Sequence, residues 1–208
     1  MKNFRIAREG IPYILTPAVF ATLAWALGYR YVAAIFFIVS AFMTFFFRDP
    51  KREPPNEPNV IVAPADGKIT RITSLTSNST STKLISIFLS PLDVHINRAP
   101  IAGKITNVSY TKGKFLMATD NRASLINEQN ALTIEGDKIT VVCKQIAGIL
   151  ARRIICWKHQ GERLTLGERF GLIKFSSRTD LILPDNVEVL VSKGMRVKGG
   201  STIIGRTK

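Results

Sequence analysis

Residues 161–170 read GERLTLGERF and residues 194–203 read GMRVKGGSTI, so one spacing of glycine and apolar residues occurs twice in the chain. In both stretches glycine holds the first and seventh positions, and an apolar residue holds the fourth and tenth. Glycine permits the backbone conformations of tight corners, and regularly spaced apolar side chains can enter a core. The spacing therefore predicts two β-hairpins of similar shape, although short strands also match one another by chance.

A second, shorter repeat lies upstream, where residues 64–70, PADGKIT, return as residues 100–106, PIAGKIT. The two repeats differ between copies at polar positions: an alanine stands opposite Asp66, and a glutamate stands opposite Ser201 when the copies are compared without gaps. Positions that the copies share can be explained by the fold. Asp66 and Ser201 are not explained in that way and are candidates for chemistry.

Beyond residue 59 the chain shows short apolar runs separated by turn residues, and no long stretch has the period of a helix. The predicted strands are Val60–Ala63, Lys68–Thr73, Lys83–Leu89, Lys104–Tyr110, Ala131–Glu135, Lys138–Lys144, Gly171–Phe175, Leu181–Leu183 and Val187–Val191. Gly136-Asp137 predicts a hairpin turn, Ser74–Thr82 a loop, and Ile149–Ile155 a turn of helix. The glycine spacing resembles that of biotinyl- and lipoyl-type proteins, so residues 60–208 are predicted to form a mostly β barrel-sandwich domain.

The N-terminal quarter of the chain is strongly apolar. Ile11–Tyr29 and Tyr31–Phe47 carry no charge, and as helices they would be roughly 28 and 26 Å long, slightly short of a ~30 Å hydrocarbon core. Basic residues flank the pair on both sides, which favours two cytoplasmic ends. Residues 1–47 therefore predict a membrane-associated helical hairpin, spanning or re-entrant, and residues 48–59 a proline-rich linker. A cleaved signal peptide is the alternative, which the second apolar run disfavours.

The formal net charge of +14 predicts an anionic partner. No nucleic-acid motif occurs, so an anionic membrane surface is the partner that the composition favours. Cys143 and Cys156 have neither metal-site spacing nor the pattern of a disulfide framework, and no metal is expected. With an apolar hairpin, these features predict a protein of the cell membrane whose second domain lies on the cytoplasmic face.

The segment Gly199-Gly200-Ser201-Thr202 places a hydroxyl directly after two residues without side chains. Such a serine can attack the preceding carbonyl and cut its own chain, although Gly-Gly-Ser is also ordinary turn chemistry. A serine needs a neighbouring base, and His95 is the better candidate because His159 lies in a polar, turn-like stretch. An acid such as Asp66 could orient the imidazole.

The chain resembles the short-form phosphatidylserine decarboxylase proenzymes over nearly its whole length. The matching motifs, in order, are Phe47-Arg48-Asp49-Pro50, Ala63-Pro64-Ala65-Asp66-Gly67, Ser90–Pro100, Asn127-Glu128, Ala151-Arg152-Arg153-Ile154, Gly167-Glu168-Arg169-Phe170-Gly171 and Gly199-Gly200-Ser201-Thr202. Several ordered motifs are far more specific than any one of them.

The resemblance implies a self-processing lyase. Ser201 Oγ, activated by His95 with Asp66, would attack the carbonyl of Gly200, and the chain would part into residues 1–200 and 201–208, which stay associated. Ser201 would become a pyruvoyl group that accepts electrons during decarboxylation of phosphatidylserine to phosphatidylethanolamine, or of the equivalent ether lipid, in phospholipid biosynthesis. His95 is also the expected acid that protonates the product, and neither metal nor nucleic acid is implied.

Two departures from the family pattern bear on the site. Family members often read Phe-Gly-Ser-Arg where this chain has Phe175-Ser176-Ser177-Arg178, and Ser176 and Ser177 are the residues we assign to substrate binding. Longer members carry a second histidine where Arg98 stands, so a mechanism that needs two histidines does not transfer to this chain.

Two functions from other classes compete with this interpretation. A non-enzymatic membrane-anchored carrier of the biotinyl or lipoyl type would need a lysine at a hairpin tip, and Lys193 lies near one glycine corner without the usual apolar flanks. The same non-enzymatic domain could instead be an adaptor subunit. The other competitor, a module that only binds anionic lipid, would explain the charge but not the motifs.

Overall fold

A computed structural model of the chain describes residues 5–77, 80–117, 120, 122–149, 153–175 and 177–207. Its contacts divide the chain into two compact units, Met1–Lys51 and Arg52–Lys208. The boundary between the units falls in the segment predicted to be a linker, where residues 51–57 have no regular secondary structure.

The first unit is a hairpin of two helices. After a short 3-10 helix at Arg8–Gly10, α1 spans Ile11–Ala26 and α2 spans Arg30–Phe46. The helices pack in antiparallel fashion, because Ser40 Oγ on α2 donates to the Ile14 carbonyl on α1 at 2.9 Å. The predicted helical hairpin is confirmed. Among the helices of the described residues, none combines the length and the hydropathy needed to cross a bilayer.

The second unit is built almost entirely of strands. In chain order they are β1 (Val60–Val62), β2 (Gly67–Ser77), β3 (Thr80–Leu89), β4 (Ile96–Arg98), β5 (Gly103–Thr111), β6 (Gln129–Glu135), β7 (Thr140–Ala147), β8 (Ile154–Cys156), β9 (Arg163–Leu164), β10 (Arg169–Ile173), β11 (Ser177–Pro184), β12 (Val187–Val189), β13 (Arg196–Val197) and β14 (Ile203–Thr207), with the short helix α3 at Ala123–Ile126. All pairings between these strands are antiparallel. The predicted mostly β sandwich with an N-terminal hairpin is therefore confirmed.

The strands form one large sheet and two small ones. The large sheet has the order β13-β2-β3-β11-β7-β6-β5-β9, and the small sheets have the orders β1-β14-β12 and β4-β10-β8. Counted inward from its two ends, the large sheet has equivalent strands in the same order: β13, β2, β3 and β11 from one end match β9, β5, β6 and β7 from the other. Strands β4 to β10 form one seven-stranded repeat, and β1–β3 with β11–β14 form the other in the same topology. The first repeat is thus inserted into the second, and β7 pairs with β11 at their junction.

Equivalent backbone hydrogen bonds confirm that the two repeats share one conformation. Val62 N donates to Pro100 O and Arg98 N donates to Pro64 O, both at 2.9 Å, so the repeats bind one another reciprocally. The register irregularity after Ile69 in β2 also returns after Ile105 in β5. The internal repeat read from the sequence is therefore a structural repeat.

The glycines at equivalent corners of the two repeats also have matching backbone conformations. Gly161 and Gly194 have φ values of 93° and 98°, and Gly167 and Gly200 have φ values of 72° and 73°. These values lie in the region that residues with a Cβ atom avoid. The glycine spacing in the sequence is therefore the spacing of equivalent corners.

Both repeats contribute to a single core. Ile69 and Ile105, which are equivalent, are fully buried in one cluster with Phe170 and Ile204. Burial of each such side chain stabilises the fold by about 1.5–3 kcal/mol.

The nine predicted strands and the Gly136-Asp137 turn are confirmed, with boundaries shifted by a few residues at most ends. The predicted loop at Ser74–Thr82 is wrong, since Ser74 pairs with Lys83 and β2 and β3 continue as a long ribbon on either side of residues 78–79, which lie outside the described residues. Threonine is favoured in strands, so the composition of this segment is compatible with a ribbon. The predicted helical turn at Ile149–Ile155 is also wrong where it is described, because Ile154 begins β8 and pairs with β10.

Alanine at either outer corner should destabilise the fold equally. A Cβ at Gly161 or Gly194 would meet no atom within 4 Å, so only the positive φ opposes it. We expect Gly161→Ala and Gly194→Ala each to lower the free energy of unfolding by about 1–2 kcal/mol, measured by urea denaturation.

Gly171→Ala is the contrasting variant for that experiment. A Cβ there would lie 2.2 Å from the Ile155 carbonyl oxygen, so strand β8 would have to move and the loss should be larger. Unequal losses at the two corners would contradict the equivalence of the repeats, and a tolerated Gly171→Ala would contradict the close approach of the β8 backbone.

Candidate active site

A tight turn at Lys198–Thr202 joins β13 to β14. Ser201 N and Thr202 N both donate to Lys198 O, at 3.2 and 3.0 Å. Lys198 N in turn donates to Thr202 Oγ1 at 2.9 Å. The threonine side chain thus closes the turn from inside, and Ser201 lies at its tip.

Ala63 holds the two sides of this turn. Gly200 N donates to Ala63 O, and Ala63 N donates to Thr202 O, both at 2.8 Å. The backbone is therefore fixed immediately before and after Ser201 by a single residue of the segment that follows β1.

The other repeat makes the same two bonds with one residue fewer. There Gly167 N donates to Ala99 O at 2.9 Å, and Ala99 N donates to Glu168 O at 2.7 Å. Glu168 follows Gly167 directly, whereas Thr202 is two residues beyond Gly200. The turn that contains Ser201 therefore has one extra residue.

The strand register beyond the turn carries the same offset. Ile203 pairs with Val62 in one repeat, while Arg169 pairs with Arg98 in the other. Ile204 and Phe170 are then the equivalent core residues, and both are fully buried. The ungapped comparison that set Ser201 opposite Glu168, and residue 203 opposite Phe170, is corrected.

Ser201 is the extra residue of this turn and has no counterpart in the other repeat. Its side chain is partly exposed, and its Oγ makes no hydrogen bond to any described residue. Inserted residues of this kind leave the regular pairing and re-aim a side chain, and they are frequent beside active sites. The fold therefore presents Ser201 while it holds both neighbours.

Gly200 is enclosed by the other repeat and by Arg98. Its φ is 73°, and a Cβ there would lie 2.7 Å from Arg98 Cδ. Gly167 faces it, since a Cβ on Gly167 would lie 3.2 Å from Gly200 O. Arg98 is buried and donates from Nη1 to Gly167 O at 3.1 Å. The sequence did not identify Arg98 as a site residue, although its departure from the family pattern was a signal.

Asp66 lies against the same turn. Its Oδ1 accepts from Gly199 N at 2.8 Å, and its Oδ2 accepts from Arg52 Nη2 at 2.6 Å. Both partners are donors to an ionised carboxylate, and such bonds are about twice as strong as neutral ones. Asp66, predicted from its lack of a counterpart, therefore fixes the peptide that precedes the Gly200–Ser201 bond.

His95 is buried just before β4, and its ring is oriented by the backbone. Nδ1 lies 2.9 Å from the Asp93 carbonyl oxygen. Since a carbonyl only accepts, Nδ1 carries the hydrogen, and Nε2 holds the lone pair in the neutral ring. The contact to Nδ1 that an acid was expected to supply is thus made by a backbone carbonyl.

The segment that carries His95 is tied to the strand that enters the turn. The Asp93 carboxylate pairs with Arg196, which lies in β13 just before the turn. Ser201 Oγ makes no hydrogen bond to His95. Ser201, Gly200 and Asp66 are thus brought together, and His95 lies on a segment fastened to the strand that enters the turn.

The structure describes only one of the two serines that were predicted to bind the substrate. Ser176 lies outside the described residues. Ser177 is fully buried at the start of β11, and its Oγ has no hydrogen-bond partner among the described residues. Phe175 has a φ of 60°, a strained value of the kind that clusters at functional sites. The structure does not join Ser177 to the turn.

A cavity of about 570 Å³ adjoins Gly200, because Arg98 and Gly167 contact the glycine and also line the cavity. Its other walls are formed by Arg52, Pro54, Pro55, Asn56, Thr165, Leu166, Glu168 and Arg169. Glu168 is paired with Lys158 at 2.8 Å. Burial by itself would raise the pKa of Glu168, but the hydrogen bonds from Lys158 and Thr165 outweigh it and lower the pKa. No three metal-ligating side chains cluster among the residues that the structure describes.

Comparison with known proteins identifies the family of the chain. The family model described as phosphatidylserine decarboxylase matches residues 39–205. A phosphatidylserine decarboxylase proenzyme of Pelodictyon phaeoclathratiforme is 50% identical over 168 residues, covering 79% of each chain. Proenzymes of the same name from Geotalea uraniireducens and Solibacter usitatus are 42% and 45% identical, and each comparison covers at least 97% of both chains. The match includes the Ser201 turn, and the chain belongs to the phosphatidylserine decarboxylase family.

Proposed function

We propose that this chain is the precursor of a pyruvoyl-dependent decarboxylase that converts phosphatidylserine, or the equivalent ether lipid, to the ethanolamine lipid. One observation carries the proposal: Ser201 is an extra residue in a turn whose flanks are fixed by Ala63. The names of the relatives supply the reaction, and the turn supplies the residue that makes the cofactor.

Self-cleavage starts at the Gly200–Ser201 bond. Ser201 Oγ loses its proton and attacks the carbonyl carbon of Gly200, and the C–N bond breaks to give an ester. Loss of the Ser201 Cα proton then expels the Gly200 carboxylate, so residues 1–200 become a separate chain that ends in this carboxylate. The dehydroalanine that remains takes up one water and releases ammonia, which leaves a pyruvoyl group at the start of the small chain.

Asp66 and His95 have separate roles in this step. Asp66 holds Gly199 N and thereby limits rotation of the peptide next to the bond that breaks. His95 presents Nε2 as its basic nitrogen, which suits it to accept the Ser201 proton. In the mature enzyme the pyruvoyl group supplies the electron sink, and His95 returns a proton to the product.

The small chain stays bound after cleavage. Residues 203–207 form β14, the central strand of its sheet, with β1 on one side and β12 on the other. Ile204 is fully buried in the core. Because both edges of the strand are paired, its release would require the sheet to open.

The helical hairpin places the enzyme at its lipid substrate. Leu15, Leu23 and Ile38 are each more than half exposed, and so continuous an apolar exterior is costly in water. A membrane-associated hairpin at the cell membrane, with the catalytic unit on the cytoplasmic face, accounts for this exterior and for part of the +14 charge.

The carrier alternative depends on Lys193, which lies exposed in the turn before Gly194. A biotinyl or lipoyl group attached to Lys193 would not explain why the turn has an extra residue at position 201. The enzyme is therefore the better account.

Intact-mass spectrometry tests the self-cleavage. The wild-type protein should give two chains, with the small chain starting in a pyruvoyl group and retained through gel filtration. Ser201→Ala should stay a single chain of unchanged fold, and Ser109→Ala, at an exposed position of β5, should process normally. A single unmodified wild-type chain in an active preparation would refute the proposal.

Asp66→Ala tests the role of the carboxylate with little risk to the fold, since the equivalent residue of the other repeat is Ala102. Loss of a charge-assisted hydrogen bond of about 1.5–3 kcal/mol should slow self-cleavage about ten- to hundredfold. The half-time can be followed by gel after translation in vitro. Asp137→Ala, at the β6–β7 turn, is the control, and equal half-times for both variants would remove Asp66 from the mechanism.

His95→Gln tests the base against His159→Gln, which changes an exposed histidine. Removal of a general base costs about 10²–10⁴-fold in rate. We expect cleavage to slow by at least the lower figure in His95→Gln and to be unchanged in His159→Gln. A normal maturation rate in His95→Gln would mean that another group activates Ser201.

A further inference from the structure

We propose that the cavity beside Gly200, lined by Arg52, Arg98 and Arg169, binds the phosphate of the substrate headgroup. The identity of the bound phosphate rests on the proposed function, whereas the existence of a phosphate site does not. The cavity itself is defined by the residues given above.

The charge of the cavity favours an anion. Three arginines line it, of which Arg52 also pairs with Asp66, and the one carboxylate among its described lining residues is Glu168, which pairs with Lys158. Guanidinium groups present a planar set of donors that fits phosphate oxygens in pairs. An arginine has five N–H donors, so Arg98 can hold Gly167 O and still contact an anion.

Arg98 and Arg169 lie directly opposite each other in the antiparallel pair of β4 and β10. The equivalent pair of the other repeat is Val62 and Ile203, so the fold does not need arginine at either position. Two neighbouring guanidinium groups can both donate to the oxygens of one anion.

The covalent structure of the substrate also requires its phosphate to lie near the reacting atoms. In phosphatidylserine only two carbons and one oxygen separate the amine from the phosphorus. The phosphate must therefore lie close to the group formed from Ser201 when the amine reaches it. The Arg98 side chain packs against Gly200, the residue before Ser201, so a phosphate bound by Arg98 would lie near the group formed from Ser201.

The first experiment asks whether the site exists, in the uncleaved full-length Ser201→Ala protein. Its melting temperature is measured with inorganic phosphate and with sodium chloride at the same ionic strength. Phosphate well above its Kd should raise Tm by a few degrees. Arg98→Val and Arg169→Ile, which copy the other repeat, should weaken phosphate binding at least tenfold.

Arg122→Gln is the matched control, because its guanidinium is exposed, pairs with Asp120 and does not line the cavity. It should keep the full phosphate effect. If Arg98→Val does not melt cooperatively, Arg169→Ile, whose residue is exposed in wild type, carries the test. An equal phosphate effect in Arg169→Ile and Arg122→Gln, or none in the parent, would overturn the site.

The second experiment asks which phosphate binds, in the processed enzyme with short-chain phosphatidylserine. Arg169→Ile should raise KM at least tenfold with little change in kcat, and O-phosphoserine should compete with the substrate where serine does not. An unchanged KM beside lost phosphate binding would mean that the site serves free phosphate. If the wild-type chain is not cleaved and phosphate still binds, the proposed function fails and the anion site remains.

Discussion

The two hydrogen bonds between Ala63 and the turn at Lys198–Thr202 determine what the rest of the site can do. They fix Gly200 N and Thr202 O to one residue, and the other repeat shows that a single residue after glycine is enough to join these points. Ser201 is therefore in excess. Its two peptide bonds must fit between anchors that do not move, and its hydroxyl is left outside the regular pairing.

The repeat separates what the fold requires from what the site requires. Equivalent strands, corners and irregularities need equivalent residues, so a difference between copies at a structurally matched position has no explanation in the fold. The differences at Asp66, Arg98, Arg169 and the inserted Ser201 all surround Gly200, either directly or through the cavity. One copy thus supplies an internal control for the other, without any alignment of relatives.

Much of this could be predicted from the sequence, and the failures have physical reasons. The glycine spacing located the corners because only glycine adopts their φ at little cost. Asp66 was found as an unmatched polar residue. The insertion at Ser201 was missed because Ile203 and Ile204 are both apolar, so an ungapped comparison still placed an apolar residue at the core position.

Arg98 was missed for another reason. Its counterpart Val62 differs in size and charge, and the repeated motif is recognisable only from residues 64 and 100 onward. These two positions are equivalent because Val62 N and Arg98 N make matching hydrogen bonds. Backbone hydrogen bonds do not restrict which side chain stands at a position, so the sequence does not reveal them. The two-residue strands β9 and β13 were missed because they are too short to show a period.

The uncleaved chain already holds both sides of the bond at which we propose cleavage. A cut after Gly200 would remove the Ser201 N bond to Lys198 O, whereas Gly200 N would keep its bond to Ala63 O, Ala63 N would keep its bond to Thr202 O, and β14 would stay between β1 and β12. The new end of the large chain and the new start of the small chain would therefore be held by one residue. Arg98 contacts Gly200 and Asp66 binds Gly199 N, so the group formed from Ser201 would arise in a site whose polar side chains are already in place. The proposed self-cleavage would then cost little reorganisation, and the strand that carries the new group could not leave without opening a sheet.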